Sequence, residues 1–215
     1  MAPRAAGLLA GLCGALALAL VPGCGDSAVA SGSSGGGPSA SSPAADDPVE
    51  FGPLPDFELV DQLGRSVTRD SLRGRPLVLA AIYSRCVGPC PAISRGMQEL
   101  QDELKDTDTL LVSISVDPEH DDPAVLASYA EGYGADPERW LLLSGSEEEI
   151  YRLVREGLKM AVQRDDETDI GQAVTHSNRL AAVDAEGRLR GWYLGTDAAQ
   201  RARLRRRMQA LAHED

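Results

Sequence analysis

The chain has 215 residues, with 33 acidic against 21 basic side chains, a formal charge of −12 and four cysteines. That length suits one domain of ordinary size plus additional segments. A surface this acidic repels phosphate backbones and argues against nucleic acid as a partner.

At the N-terminus, Arg4 precedes an uncharged apolar run from Ala5 to Val21 that ends at Pro22 and Gly23. This is the form of a secretory signal, and it falls short of the about 20 residues a spanning helix needs. The stretch LVPGCGD resembles a bacterial lipoprotein signal, in which the cysteine is lipidated and becomes the new N-terminus. Residues 1–23 are therefore expected to be a signal peptide and Cys24 the lipidation site. Pro22 departs from the small or hydroxylated residue usual two places earlier. An ordinary signal cut nearby, or an uncleaved anchor, would still place the domain outside the cytoplasm. Residues 24–50 read as a tether: Ser27 to Pro48 is nearly all Ser, Gly, Ala and Pro, too poor in apolar surface to fold. A coil of that length spans on the order of 25 Å.

The folded domain is expected over residues 51–215. Phe57–Thr68 gives two short runs around Leu63-Gly64, a hairpin signal. Pro76–Tyr83 is continuously apolar, as in a strand buried on both faces. Ile93, Met97, Leu100 and Leu104 line one face of a helix. Thr109–Val116 is a second central strand, and Asp122 with Pro123 starts another helix. The run WLLLSG is a third strand. Ser146 and Glu149 form a capping box ahead of Ile150, Val154 and Leu158. A long acidic loop, QRDDETDIGQAVT, leads to His176. Leu180–Val183 and Arg188–Leu194 make an antiparallel hairpin, and a helix from about Asp197 to Ala212 ends the chain. Its arginines, in RARLRRR, read as the solvated side opposite Leu204, Met208 and Leu211, or else as a patch for an acidic partner. Alternating strands and helices imply an α/β fold with a mixed central sheet flanked by helices and an N-terminal β-hairpin. A strand running into a cysteine motif that opens a helix, with a hairpin and helix at the end, is the thioredoxin-like arrangement.

Once Cys13 leaves with the signal and Cys24 takes the lipid, Cys86 and Cys90 are the two thiols left, in YSRCVGPCP. In an oxidising compartment such a pair tends to form a disulfide. A cysteine at a helix N-terminus favours the thiolate, and Arg85 stands beside it. The thiolate is both nucleophile and soft metal ligand, so redox and metal roles both remain open. A metal role needs histidine. His120, in an acidic loop, and His213, in the polar tail, read as solvated. His176 sits at the end of a long loop, just before the strand starting near Arg179, where long loops are commonly functional. Two thiolates and one imidazole suit copper, as Cu(I) or Cu(II), whereas zinc would need a fourth ligand.

With these residues assembled, the domain resembles the Sco/SenC family of copper proteins. The resemblance runs from about Pro55 to the C-terminus, through YSRCVGPCP, SISVDPEHDDPAVLASYA and THSNRLAAVD. It implies that Cys86, Cys90 and His176 bind copper and that Asp117 lies near the site. It further implies that Cys86 and Cys90 interconvert with a disulfide. The implied partners are the copper-receiving subunit of cytochrome c oxidase, a thiol reductant or copper donor, and the lipid bilayer through the anchor. Val87 departs from the proline that commonly follows the family's first cysteine. The rival reading is a thiol–disulfide oxidoreductase of the thioredoxin class. Those enzymes use Cys-x-x-Cys and a cis-proline before the later strand, where this chain has Cys-x3-Cys and His176. A thiol peroxidase would need threonine where Tyr83 stands.

Overall fold

A computed structural model describes residues 51–164 and 174–214. The expected signal peptide (1–23), Cys24, the tether (24–50) and most of the acidic loop lie outside the described residues. β1 (Glu58–Asp61) and β2 (Ser66–Thr68) form the expected hairpin, with Gly64 at φ 75° in its turn. The segment before it joins the same body: Phe51 donates to Leu189 O, and its ring lies 4.3 Å from that of Trp192.

The centre of the fold is three strands with every residue buried: β3 (Leu77–Ile82), β4 (Leu110–Ser115) and β5 (Trp140–Ser144). Near-continuous Leu, Val and Ile explain this, because parallel strands covered on both faces have no solvent side. β3 pairs with β4, and β4 with β5, in parallel. β8 (Arg179–Val183) runs antiparallel to β3 and continues into β9 (Leu189–Leu194). The sheet order is β2-β1-β5-β4-β3-β8-β9, the mixed, thioredoxin-like sheet expected from the element order. α1 (Cys90–Glu103) buries Ile93, Met97 and Leu100 as its periodicity implied. α2 (Pro123–Gly132) is capped by Asp122, which accepts from the Val125 N–H. Ser94 of α1 bonds Tyr129 of α2 at 2.7 Å.

Four local expectations change. Ser146 does cap α3 (Glu147–Arg152), accepting from Glu149 N–H, but the Glu149 carboxylate accepts from the distant Glu58 N–H, so no reciprocal box forms. The helix then passes into a π turn over Leu153–Gly157 rather than running regularly to Leu158. Most of the supposed loop is bounded by two short strands, β6 (Val162–Arg164) and β7 (Val174–His176), which form a separate two-stranded ribbon. The arginines of α4 (Ala198–Leu211) are also not simply a solvated face. Arg201 pairs with Glu99 and Arg205 with Glu103 of α1, while Arg207, largely buried, reaches Glu214. Among the described residues, no helix is long and apolar enough to cross a membrane.

Candidate metal centre

β3 ends at Ile82, and the chain turns through Tyr83, Ser84 and Arg85 to Cys86 before α1 opens at Cys90. The turn is held by one carboxylate. Asp121, fully buried, accepts from the Ser84 N–H at 2.9 Å, from the Ser84 hydroxyl, and from the Ser115 hydroxyl at 2.5 Å. Strand ends of β3 and β4 are thereby locked together two residues before the first cysteine. Cys86 lies in the loop rather than in the helix. Cys90 is the first helical residue, with Ala92 and Ile93 N–H groups bonding Pro89 O behind it. Val87, the residue that lengthens the motif, is 74% exposed.

From the other side comes β7. Its last residue, His176, places Nε2 at 3.1 Å from the Cys90 sulfur. One ligand atom from each of Cys86, Cys90 and His176 falls within 4.8 Å of the others. The structure thus brings all three expected ligands together, and both cysteines are free thiols. His120 and His213 are exposed, and neither belongs to this group. His176 Nδ1 lies 3.0 Å from the Ser177 carbonyl. A carbonyl only accepts, so Nδ1 carries the proton and a neutral ring leaves Nε2 bare toward the sulfurs. The Tyr83 ring meets the imidazole edge-on, with centroids 5.6 Å apart, and fixes its plane.

The two thiols are unequal. Burial works against a charged Cys86 sulfur. Hydrogen bonds from the His176 ring, the Cys90 thiol, and the Cys90 and Gly88 backbone outweigh it and lower its pKa to about 6. Burial pushes the Cys90 thiol far up, and the neighbouring Cys86 sulfur pushes the same way. A bare Nε2 accepts from the Cys90 S–H; a protonated ring donates to the Cys86 thiolate. Either way, the group joins one ready thiolate, one held thiol and one imidazole. That set can ligate a soft ion or close a disulfide.

Asp117 lies near the site but its carboxylate is taken by cations. Arg85 donates to Oδ2 from Nε (2.9 Å) and Nη2 (2.5 Å), and Arg164 donates to Oδ1 from Nη2 (3.3 Å). The expectation that Arg85 supports the thiolate is corrected: its guanidinium is turned to Asp117, which is 1% exposed. Asp121 and Arg164 carry no signal in the sequence. Both sit among charged neighbours, in DPEHDD and QRDDETD, and only folding singles them out.

A family model described as SCO1/SenC matches residues 49–212. Three solved structures are similar to this chain. A SCO1/SenC family lipoprotein from Bacillus anthracis str. Ames aligns with a TM-score of 0.72 at 27% identity, over 79% of this chain and 100% of that one. BsSco, described as having a disulfide switch and as a member of the Sco family of cytochrome c oxidase assembly proteins, gives 0.70 at 26% identity, covering 79% and 98%. ScoI of Bradyrhizobium japonicum, solved with copper bound, gives 0.59 at 25% identity, covering 74% and 98%.

Proposed function

The chain belongs to the SCO1/SenC family, and from that footing we propose that it is a membrane-tethered extracytoplasmic copper carrier. It binds one copper ion through Cys86, Cys90 and His176 and passes it to the copper-receiving subunit of cytochrome c oxidase during assembly. The observation carrying this reading is the convergence of two sulfurs and one imidazole nitrogen within 4.8 Å. Two sulfurs favour Cu(I), and the imidazole accommodates either oxidation state. Copper is the cargo, so the ligands must release it as well as hold it. The apolar, exposed Val87 next to Cys86 leaves the loop open to a receiving surface. Cys24 is the lipid anchor in this reading, and residues 24–50 give the domain reach from the bilayer.

A second reading, a thiol–disulfide oxidoreductase, is favoured by the inequality of the thiols. A low-pKa Cys86 attacks a partner disulfide, and the buried Cys90 then resolves the mixed disulfide, leaving a Cys86–Cys90 disulfide and the partner's two thiols. Copper titration of the reduced protein, with and without His176→Ala, tests the first reading. We expect one copper per chain, and sulfur-to-copper charge-transfer absorption in the Cu(II) form that His176→Ala abolishes while the dithiol stays titratable. Copper binding unchanged by His176→Ala would overturn the three-ligand site. Enzyme-like turnover of disulfide substrates without metal would favour the second reading instead.

A further inference from the structure

We infer that Arg164 is a positioning residue for the copper site, fixing His176 against the cysteines through the shared carboxylate of Asp117. The histidine arm is structurally separate from the cysteine arm. His176 ends a two-stranded ribbon outside the seven-stranded sheet, whereas Cys86 and Cys90 follow directly from β3, an interior strand of that sheet. An isolated two-stranded ribbon is marginally stable at best, so its placement depends on its ties to the rest of the molecule.

Two arginines supply such ties. Arg155 donates from Nε (3.1 Å) and Nη2 (2.7 Å) to the carbonyl of Val162, the residue in register with His176. That bond clasps the base of the ribbon. Arg164, in register with Val174, reaches the other way, to Asp117 Oδ1 at 3.3 Å. Glu147 at 3.2 Å and Glu119 at 3.5 Å flank the same guanidinium. On its other oxygen, Asp117 holds Arg85, the residue immediately before Cys86. One buried carboxylate therefore grips the cysteine loop with one oxygen and the histidine ribbon with the other. A planar guanidinium suits this task, since its fork fixes direction as well as charge. Surface ion pairs alone contribute little. Asp117 is 1% exposed and the Arg164 side chain 18% exposed, so this link belongs to the interior rather than to the solvated surface.

The affinity part of the test rests on the copper reading above; the second part does not. Full-length protein is compared with Arg164→Met, which removes charge and fork, and Arg164→Lys, which keeps the charge. Copper affinity should fall about 10- to 100-fold in Arg164→Met, the range for residues that orient metal ligands, and by less in Arg164→Lys. Nitrogen hyperfine coupling in the Cu(II) spectrum should weaken in step. If Arg164 acts through His176, Arg164→Met added to His176→Ala should cost nothing further. In the metal-free protein, amides of Val174–His176 should exchange faster in Arg164→Met while those of Leu180–Val183 stay protected. Unchanged exchange in the ribbon, or equal loss of affinity in the His176→Ala background, overturns the inference. Absence of copper binding in the unsubstituted protein would instead sink the copper reading, and the exchange comparison would still decide the role of Arg164.

Discussion

Reacting the reduced, metal-free protein with a small aromatic disulfide across a pH series tests the inequality of the two thiols. With its pKa lowered to about 6, Cys86 is about nine-tenths thiolate at pH 7, against about 3% for an ordinary cysteine near 8.5. That is a gain of roughly 30-fold in reactive species. The less basic sulfur is also a weaker nucleophile, by about 13-fold for a shift of about 2.5 units. The rate at pH 7 should therefore exceed that of a free cysteine by only about two- to threefold. The position of the profile is the diagnostic quantity. Attack should rise with pH to half its maximum near 6 and be flat above about 7, with the first adduct on Cys86. Cys90, 1% exposed and held as a thiol, should react only by displacing that adduct. His176→Ala removes a hydrogen bond to the thiolate, so its midpoint should move toward 8.5. Stopped-flow absorbance with peptide mass spectrometry of quenched samples reads both quantities. A midpoint at 8 or above, or first modification at Cys90, would refute the reasoning.

Two further predictions concern carboxylates away from the ligands. Asp121→Ala strands the Ser84 N–H and the hydroxyls of Ser84 and Ser115 in the interior, and should cost about 3–5 kcal/mol in urea unfolding; a loss below about 1 kcal/mol would mean the turn is held otherwise. Burial opposes ionisation of Asp184, but the Arg188 N–H and the Arg190 and Arg188 guanidinium groups outweigh it and hold its pKa below the usual range. Its folded pKa being the lower one, Asp184 stabilises the protein above the unfolded value near 3.9, and that contribution is lost as pH falls through the folded value. Asp184→Asn should thus cost about 2 kcal/mol at pH 7, and its thermal unfolding curve should converge on that of the unsubstituted protein in acid.

The sheet was legible because its strands obey simple patterns. Leu77–Ile82 is apolar throughout and Trp140–Ser144 is apolar up to its final serine, so burial on both faces could be read directly. The β6–β7 ribbon could not. Its strands have three residues each, and Gln163 and Arg164 give no alternation toward a core, because β6 buries Val162 alone and arginine side chains hold it beside that contact. The capping box failed for a related reason: Glu149 found a partner in Glu58, 91 positions away, which no local motif encodes.

The site itself divides along the same line. Cys86, Cys90 and His176 stood out because their chemistry is scarce in this chain: of four cysteines two share one turn, and of three histidines two sit in polar surroundings. Arginine and aspartate are abundant, so nothing marked Asp117, Arg85 and Arg164 as one assembly. Charge in sequence proximity even misled, since Arg85 neighbours Cys86 but turns to Asp117. Val87 takes its meaning from the same geometry. With three residues between the cysteines, Cys86 stays outside α1 while Cys90 opens it, and the loop so formed leaves Val87 in solvent. The longer spacing therefore provides two sulfurs from two backbone settings, one ionising readily and one held as a thiol, facing an imidazole that arrives on a separate arm.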